Sequence, residues 1–306
     1  MLRHRARVLA DVRAFFAARG VLEVETPALS AAAVSDPAIE SVRARVTSLN
    51  PSRQYLQTSP EFAMKRLLAD GSGDIYQMCR VFRDGELGRW HQPEFTLLEW
   101  YRLGWTEVQL MDEVAELINA VLGGHDHRLP VVHTTYAEAF ARALNVAPDG
   151  ASAALRGALT KRDIQIPADL DRNALLDLAF GTVVAPAFEP QALTFVTDYP
   201  AEQAALAELK PGEPPVAARF EVFSAGIELG NGFRELTDAV EQRRRFEADL
   251  RRRQAARQPT APLDELFLHA LATLPPCAGV AVGVDRLVAL AGRQRSLAAS
   301  MSFAHE

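Results

Sequence analysis

Apolar residues recur at helical spacing at the start of the chain. Val8, Leu9, Val12, Phe15 and Phe16 fall on one face, and Gly20 supplies a stop. Beyond it the period changes. Residues 21–27 read as an extended segment closed by proline, and 41–47 alternate, with Val42, Ala44 and Val46 on one face. A short strand over 54–58 leads to Ser59, which caps a helix over 60–69 with proline at its first position and Glu61 in its first turn. Strands follow at 75–83 and 93–101, then an amphipathic helix at 106–122. Residues 136–185 form a helical block with segments at 136–144, 152–161 and 171–184. Strand character returns at 193–197, 219–224 and 226–233. Helices at 238–257 and 263–274 precede a closing strand at 279–283 and a helix at 285–291.

Consecutive strands joined by short turns predict an antiparallel sheet flanked by helices, an α+β fold. Because strands resume after the helical block, 136–185 is expected to be an insertion into one catalytic domain spanning 1–306. Composition agrees with a soluble globular chain: 306 residues, 48% hydrophobic and 24% charged. A net charge of −6 argues against broad, non-specific nucleic-acid binding, which needs many phosphates neutralised. The two cysteines, Cys79 and Cys277, lie in apolar segments and read as small core residues of a reducing compartment. No apolar run is long enough for a membrane span, and the basic N-terminus lacks a secretory core, so the first helix is read as structural and the protein as cytoplasmic.

Four segments carry candidate chemistry. FRDGELGRWHQPEFTLLEWY, residues 82–101, places Arg83 after one strand and returns through a second ending in Glu99, Trp100 and Tyr101. An arginine held between strands suits a phosphate, and a carboxylate beside a phenol suits an ammonium. Thr58-Ser59-Pro60-Glu61 puts a hydroxyl and a carboxylate at a strand-to-helix junction. GIELGNGFREL, residues 226–236, holds Glu228 and Glu235, which a straight strand would turn to opposite sides. Gly230 and Gly232 permit a bulge that brings them together. Finally, Gly283-Val284-Asp285-Arg286-Leu287 delivers Arg286 at a helix start. Taken singly these segments also read as a helix cap, a solvated turn and a surface ion pair. Their order changes that reading.

In that order the motifs resemble the catalytic domain of class II aminoacyl-tRNA synthetases of the lysyl type. Residues 20–29, GVLEVETPAL, are similar to the motif that builds the dimer interface in that family; 82–101 and 283–287 are similar to its second and third motifs. Catalytic-type sequence begins almost at Met1, without the N-terminal anticodon-binding OB-fold domain of lysyl-tRNA synthetases. The chain is therefore similar to the truncated relatives that activate (R)-β-lysine with ATP and attach it to elongation factor P. Ala281, where lysyl-tRNA synthetases have glycine, fits that subfamily.

The resemblance implies acyl-adenylate formation followed by transfer to a lysine ε-amino group. Arg83 would bridge the α-phosphate and the substrate carboxylate, with Arg286 on the γ-phosphate and against adenine, Phe95 on adenine's other face, and His91 near the phosphates. Asp84, Gly85, Gln92, Leu229 and Gly283 complete the implied ATP site, and Glu228 and Glu235 the implied Mg2+ site. Ser59, Glu61, Glu99, Tyr101, Asn231, Glu235 and Ala281 would hold β-lysine. The resemblance also implies a homodimer and no anticodon-dependent tRNA binding. One departure stands out: the family's Arg-Asn-Glu is here Arg83-Asp84-Gly85, with Glu86 one place later. Either backbone groups at 85 read adenine, or Glu86 swings in.

Two other functions remain open at this point, a compact tRNA-charging enzyme and a catalytically silent regulatory paralogue. His125, His127 and His133 lie close in sequence and read as a solvated loop rather than a metal site. The arginines at 243–245, 251–253 and 257 read as a solvated helix face, with docking of the protein acceptor as the alternative.

Overall fold

The computed structural model describes residues 1–123 and 128–305. In chain order it contains α1 (Leu2–Ala17), β1 (Leu22–Glu23), β2 (Leu29–Ser30), β3 (Arg43–Arg45), β4 (Arg53–Leu56), α2 (Glu61–Ala69), β5 (Ile75–Phe82), β6 (Glu94–Leu103) and α3 (Glu107–Gly123). Then come β7 (Val131–Thr135), α4 (Tyr136–Leu144), α5 (Ser152–Thr160), α6 (Arg172–Ala179), β8 (Leu193–Pro200), β9 (Leu209–Lys210), β10 (Val216–Ser224) and β11 (Ile227–Arg234). The last elements are α7 (Ala239–Ala255), α8 (Glu265–Ala270), β12 (Cys277–Gly283) and α9 (Val284–Ala291).

The main sheet runs β1-β5-β6-β12-β11-β10-β8-β7, with β9 beside β10; β2, β4 and β3 form a small separate sheet. Its centre is antiparallel, as the short turns predict, but both ends are parallel: β1 pairs with β5 and β7 with β8. Parallel neighbours require a long connection. The block α4–α6 is that connection, crossing from β7 to β8. Strand β7 was not expected. It is a sheet-edge strand whose valines are exposed, so it shows no buried alternation. His133 lies on it and stacks on Phe195 at 5.5 Å between ring centroids, while His125 and His127 fall outside the described residues.

Side-chain alternation sorts the sheet into two faces. Leu98 and Trp100 on β6, Val280 and Val282 on β12, and Phe220 and Val222 on β10 join the principal core with α1, α3 and α9. Val8, Val12 and Phe16 of α1 are buried there, on the face read from the sequence, and Gly20 follows at φ +67°. Each large side chain buried in this way contributes roughly 1.5–3 kcal/mol before ordering costs. A second cluster packs α4–α6 against β8 and β10, and a third packs α2, α7 and α8 around Ile75, Tyr101 and Cys277. Burial pushes both thiols, Cys79 and Cys277, up to about 12, and both stay protonated. Leu97, Glu99 and Tyr101 of β6, Arg219 and Glu221 of β10, and Ala281 of β12 line a cavity on the other face.

Candidate active site

That cavity has a volume of about 560 Å³ and runs along the sheet from the β5–β6 loop to α2. At one end, Arg83 extends the hairpin, its backbone N–H donating to Pro93 O at 2.9 Å. Its guanidinium lies 5.1 Å from the centroid of the Phe95 ring, and Nη1 sits 3.6 Å from Glu86 Oε1. Glu86 lines the cavity, whereas Asp84 and Gly85 do not. Asp84 is turned away because its N–H pairs with Glu40 O, and Gly85 makes the following turn at φ +78°. Of the two readings of this loop, the geometry favours Glu86 swinging in.

Asp285 explains how Arg286 is aimed. Its carboxylate is buried, accepting from Thr96 N at 2.6 Å and pairing with Arg5 at 2.5 Å, so the first turn of α9 is tied to β6 and α1. Arg286 then reaches into the cavity, donating to Glu228 O at 2.7 Å and Trp90 O at 3.2 Å. Its Nη2 lies 3.1 Å from His91 Nε2. Burial and then the Arg286 charge lower the His91 pKa, so the ring is neutral and can accept from the guanidinium. Gln92 lines the cavity and also has a second set of partners. Its side chain donates to His305 O and accepts from His305 N, which pins the segment around 305 to the loop.

The expected bulge in GIELGNGFREL is present. Val222 pairs with Gly230 but Phe223 pairs with Glu228, so Leu229 is the extra residue and Glu228 turns to the cavity face with Asn231. Glu228 and Glu235 both line the cavity but have different partners. Glu235 is buried beside Lys65, Oε2 to Nζ 2.5 Å, and among the described residues no group of three or more His, Cys, Asp or Glu could hold a metal.

At the other end, cross-strand register builds a polar row: Gln77, Glu99, Ala281, Asn231 and Glu221 are successive neighbours across β5, β6, β12, β11 and β10. Glu99 accepts from Tyr101 Oη at 2.6 Å and from Ser59 Oγ at 2.7 Å. Ser59 Oγ also accepts from Glu61 N at 3.0 Å, which anchors Glu99 to the start of α2, although the N-cap is Pro60 and not the expected Ser59. Burial, then Glu61, pushes the Glu99 carboxyl up to about 7, and burial with Glu99 raises Tyr101 well above its usual value. Gly279 lies between Tyr101 and Glu235, and a β-carbon there would collide with both. Gly283, Leu229 and Ala281 also line the cavity.

Three groups escaped the sequence reading. Arg219 and Glu221 alternate on β10 and both face the cavity. Arg219 donates to Asn231 Oδ1 at 3.0 Å and to Glu221 Oε1 at 2.6 Å, and Tyr199 donates to Glu221 Oε2 at 2.7 Å. Burial raises Glu221 to about 7 against the pull of Arg219, with Glu228 adding to the rise. The third is Lys65, four residues after Glu61, a spacing that reads as a surface helix pair. The α7 arginines are largely paired within the chain. Five of the six pair with carboxylates, and buried Arg253 also donates to Asp36 O and Ile39 O, holding the loop that carries Glu40.

The largely antiparallel sheet with a carboxylate-lined cavity on one face agrees with a class II synthetase fold. The chain belongs to the tRNA synthetases class II (D, K and N), whose family model matches residues 1–306. It is 47% identical to the protein named elongation factor P--(R)-beta-lysine ligase of Salmonella paratyphi B, over 98% of this chain and 93% of the relative. Proteins of that name from Salmonella typhi and Salmonella enteritidis PT4 match to the same extent.

Proposed function

We propose that this protein activates (R)-β-lysine with ATP and transfers it to the ε-amino group of a lysine of elongation factor P. The observation that supports this most is one cavity holding Arg83 and Arg286 at one end and Glu61, Glu99 and Glu235 at the other. A nucleotide phosphate and a diamine then lie side by side. In the first step a substrate carboxylate oxygen bonds to the α-phosphorus of ATP as the bond to the bridging oxygen breaks, releasing pyrophosphate. The carboxylate is already nucleophilic, so the protein's task is to bring two anions together and stabilise charge at phosphorus. Arg83 bridges both anions, and Arg286, held by Trp90 and Glu228, meets the distal phosphates. Phe95 offers an adenine platform and Glu86 a carboxylate for its amino group.

Magnesium would suit Glu228 with Glu221 rather than with Glu235: both line the cavity, the Glu228 charge acts on Glu221, and Glu235 is already paired with Lys65. Such an ion takes few protein ligands and, when bound, neutralises charge on the phosphates. Glu61 and Glu99 receive the β-ammonium, and Glu235, Tyr101 and Asn231 the distal one. In the second step the acceptor amine, having lost a proton, attacks the acyl carbonyl; an amide bond forms and AMP leaves.

We read residues 1–306 as one catalytic unit, with 136–185 as its helical excursion, working as a homodimer in the cytoplasm. The exposed Leu22 and Leu29 in the segment that resembles the dimer motif support the dimer. No helix among the described residues is long and apolar enough to cross a membrane.

ATP–pyrophosphate exchange with (R)-β-lysine and with α-lysine, followed by transfer to elongation factor P or to tRNA, tests the reading. Exchange should favour (R)-β-lysine, transfer should go to the protein, and Arg83→Ala should lower exchange by at least about 1,000-fold. Transfer to tRNA alone, or full exchange in Arg83→Ala, would refute it.

A further inference from the structure

Lys65 is a buried cation at the amine end of the cavity that the two chemical steps leave without a role. Its side chain is 1% exposed, and Nζ lies 2.6 Å from Glu61 Oε1 and 2.5 Å from Glu235 Oε2. The Phe267 ring of α8 is 5.8 Å away. Lys65 is absent from the cavity lining, although Glu61, Glu99 and Glu235 are all part of it. It therefore sits behind the wall and touches no substrate.

We propose that Lys65 is a built-in counter-ion, a positioning residue that draws Glu235 towards its charged form and sets the pocket to accept a substrate with two ammonium groups. The proposal rests on the reading of the cavity as a diamino-acid site. Three carboxylates and one ammonium leave two negative charges, matching the two ammonium groups of the ligand. Without Lys65, two buried carboxylates would face each other with nothing between them, and one would take up a proton. A neutral acid there holds an ammonium poorly.

The groups facing Lys65 are few. Glu61 is on its own helix, Glu235 follows β11, Glu99 and Tyr101 come from β6, Cys277 from β12, and α8 contributes only the uncharged Phe267 ring. Burial alone would strip the Lys65 proton, but Glu235 and then Glu61 reverse this and hold its pKa above the ordinary range. Burial raises Glu235, and Lys65 is the strongest influence pulling it back.

The test compares ATP–pyrophosphate exchange with (R)-β-lysine and with 3-aminohexanoic acid, which lacks the distal amine. In Lys65→Met, KM for (R)-β-lysine should rise about 30-fold at pH 6.5 but only about 3-fold at pH 8.5, as Glu235 regains its charge. The kcat should change less than about 3-fold, and KM for 3-aminohexanoic acid should barely move at either pH. Lys65→Arg keeps the charge and should hold the preference and the pH response of the unaltered protein. A loss equal for both substrates and flat with pH would mark a packing role and overturn the proposal. Should Lys65→Met lack a cooperative melt, Lys65→Arg decides: a lost preference, or a KM more steeply pH-dependent than in the unaltered protein, overturns the proposal. Absence of exchange in the unaltered protein would overturn the functional reading instead.

Discussion

Glu99 accepts hydrogen bonds from Ser59 and Tyr101, yet burial and then Glu61 still push its carboxyl up to about 7. A carboxyl that holds its proton more tightly in the fold than in the unfolded chain stabilises the fold at low pH. It gives that up as pH rises from the ordinary carboxylate range through its folded value. For Glu99 this loss is on the order of 2 kcal/mol between pH 5 and 8, and Glu221 shifts in the same direction. Ligand-free protein should therefore melt lower at pH 8 than at pH 6, and Glu99→Gln should shrink that difference. A melting temperature that rises with pH in the unaltered protein would contradict the assignment. The residue types were readable because a carboxylate beside a phenol at alternate strand positions has few other uses. Lys65 was not, since its partner Glu235 lies 170 positions away and only packing brings the two together.

Among the elements, α9 is aimed by Asp285, which ties its first turn to Thr96 N on β6 and to Arg5 on α1. Asp285→Ala leaves a buried N–H and a guanidinium without an acceptor, a cost of roughly 1–3 kcal/mol. Denaturant unfolding should show that loss, and KM for ATP should rise several-fold more than KM for (R)-β-lysine, because Arg286 is the next residue. Equal effects on both substrates would mean that α9 does not aim Arg286. Most long elements were legible, since α1, α2, α3, α7 and the strands β5, β6, β8, β10, β11 and β12 carry a clear hydrophobic pattern. The parts that escaped depend on neighbours. Strand β7 exists because β8 lies parallel to it, and the role of Gln92 depends on the distant backbone of His305. Asp84 and Gly85 were placed by their motif position, but a contact with Glu40 turns that part of the loop outward.

At the scale of the whole molecule, the empty pocket holds protons that its ligand would displace. Burial keeps the pKa of Glu99 and of Glu235 above the ordinary range, and two incoming ammonium groups would lower both. Binding of (R)-β-lysine near pH 7 should therefore release protons, measured by calorimetry in buffers of different ionisation enthalpy. Net proton uptake would mean that the pocket is already charged or that the ammonium groups bind elsewhere. All of this requires Glu228, Asn231 and Glu235 to point the same way, although 228 and 231 differ by an odd number. The single unpaired step at Leu229 reconciles them. The number of residues along this strand therefore matters as much as their identity, for losing one there would send Glu228 into the oily side of the sheet while every motif still read correctly.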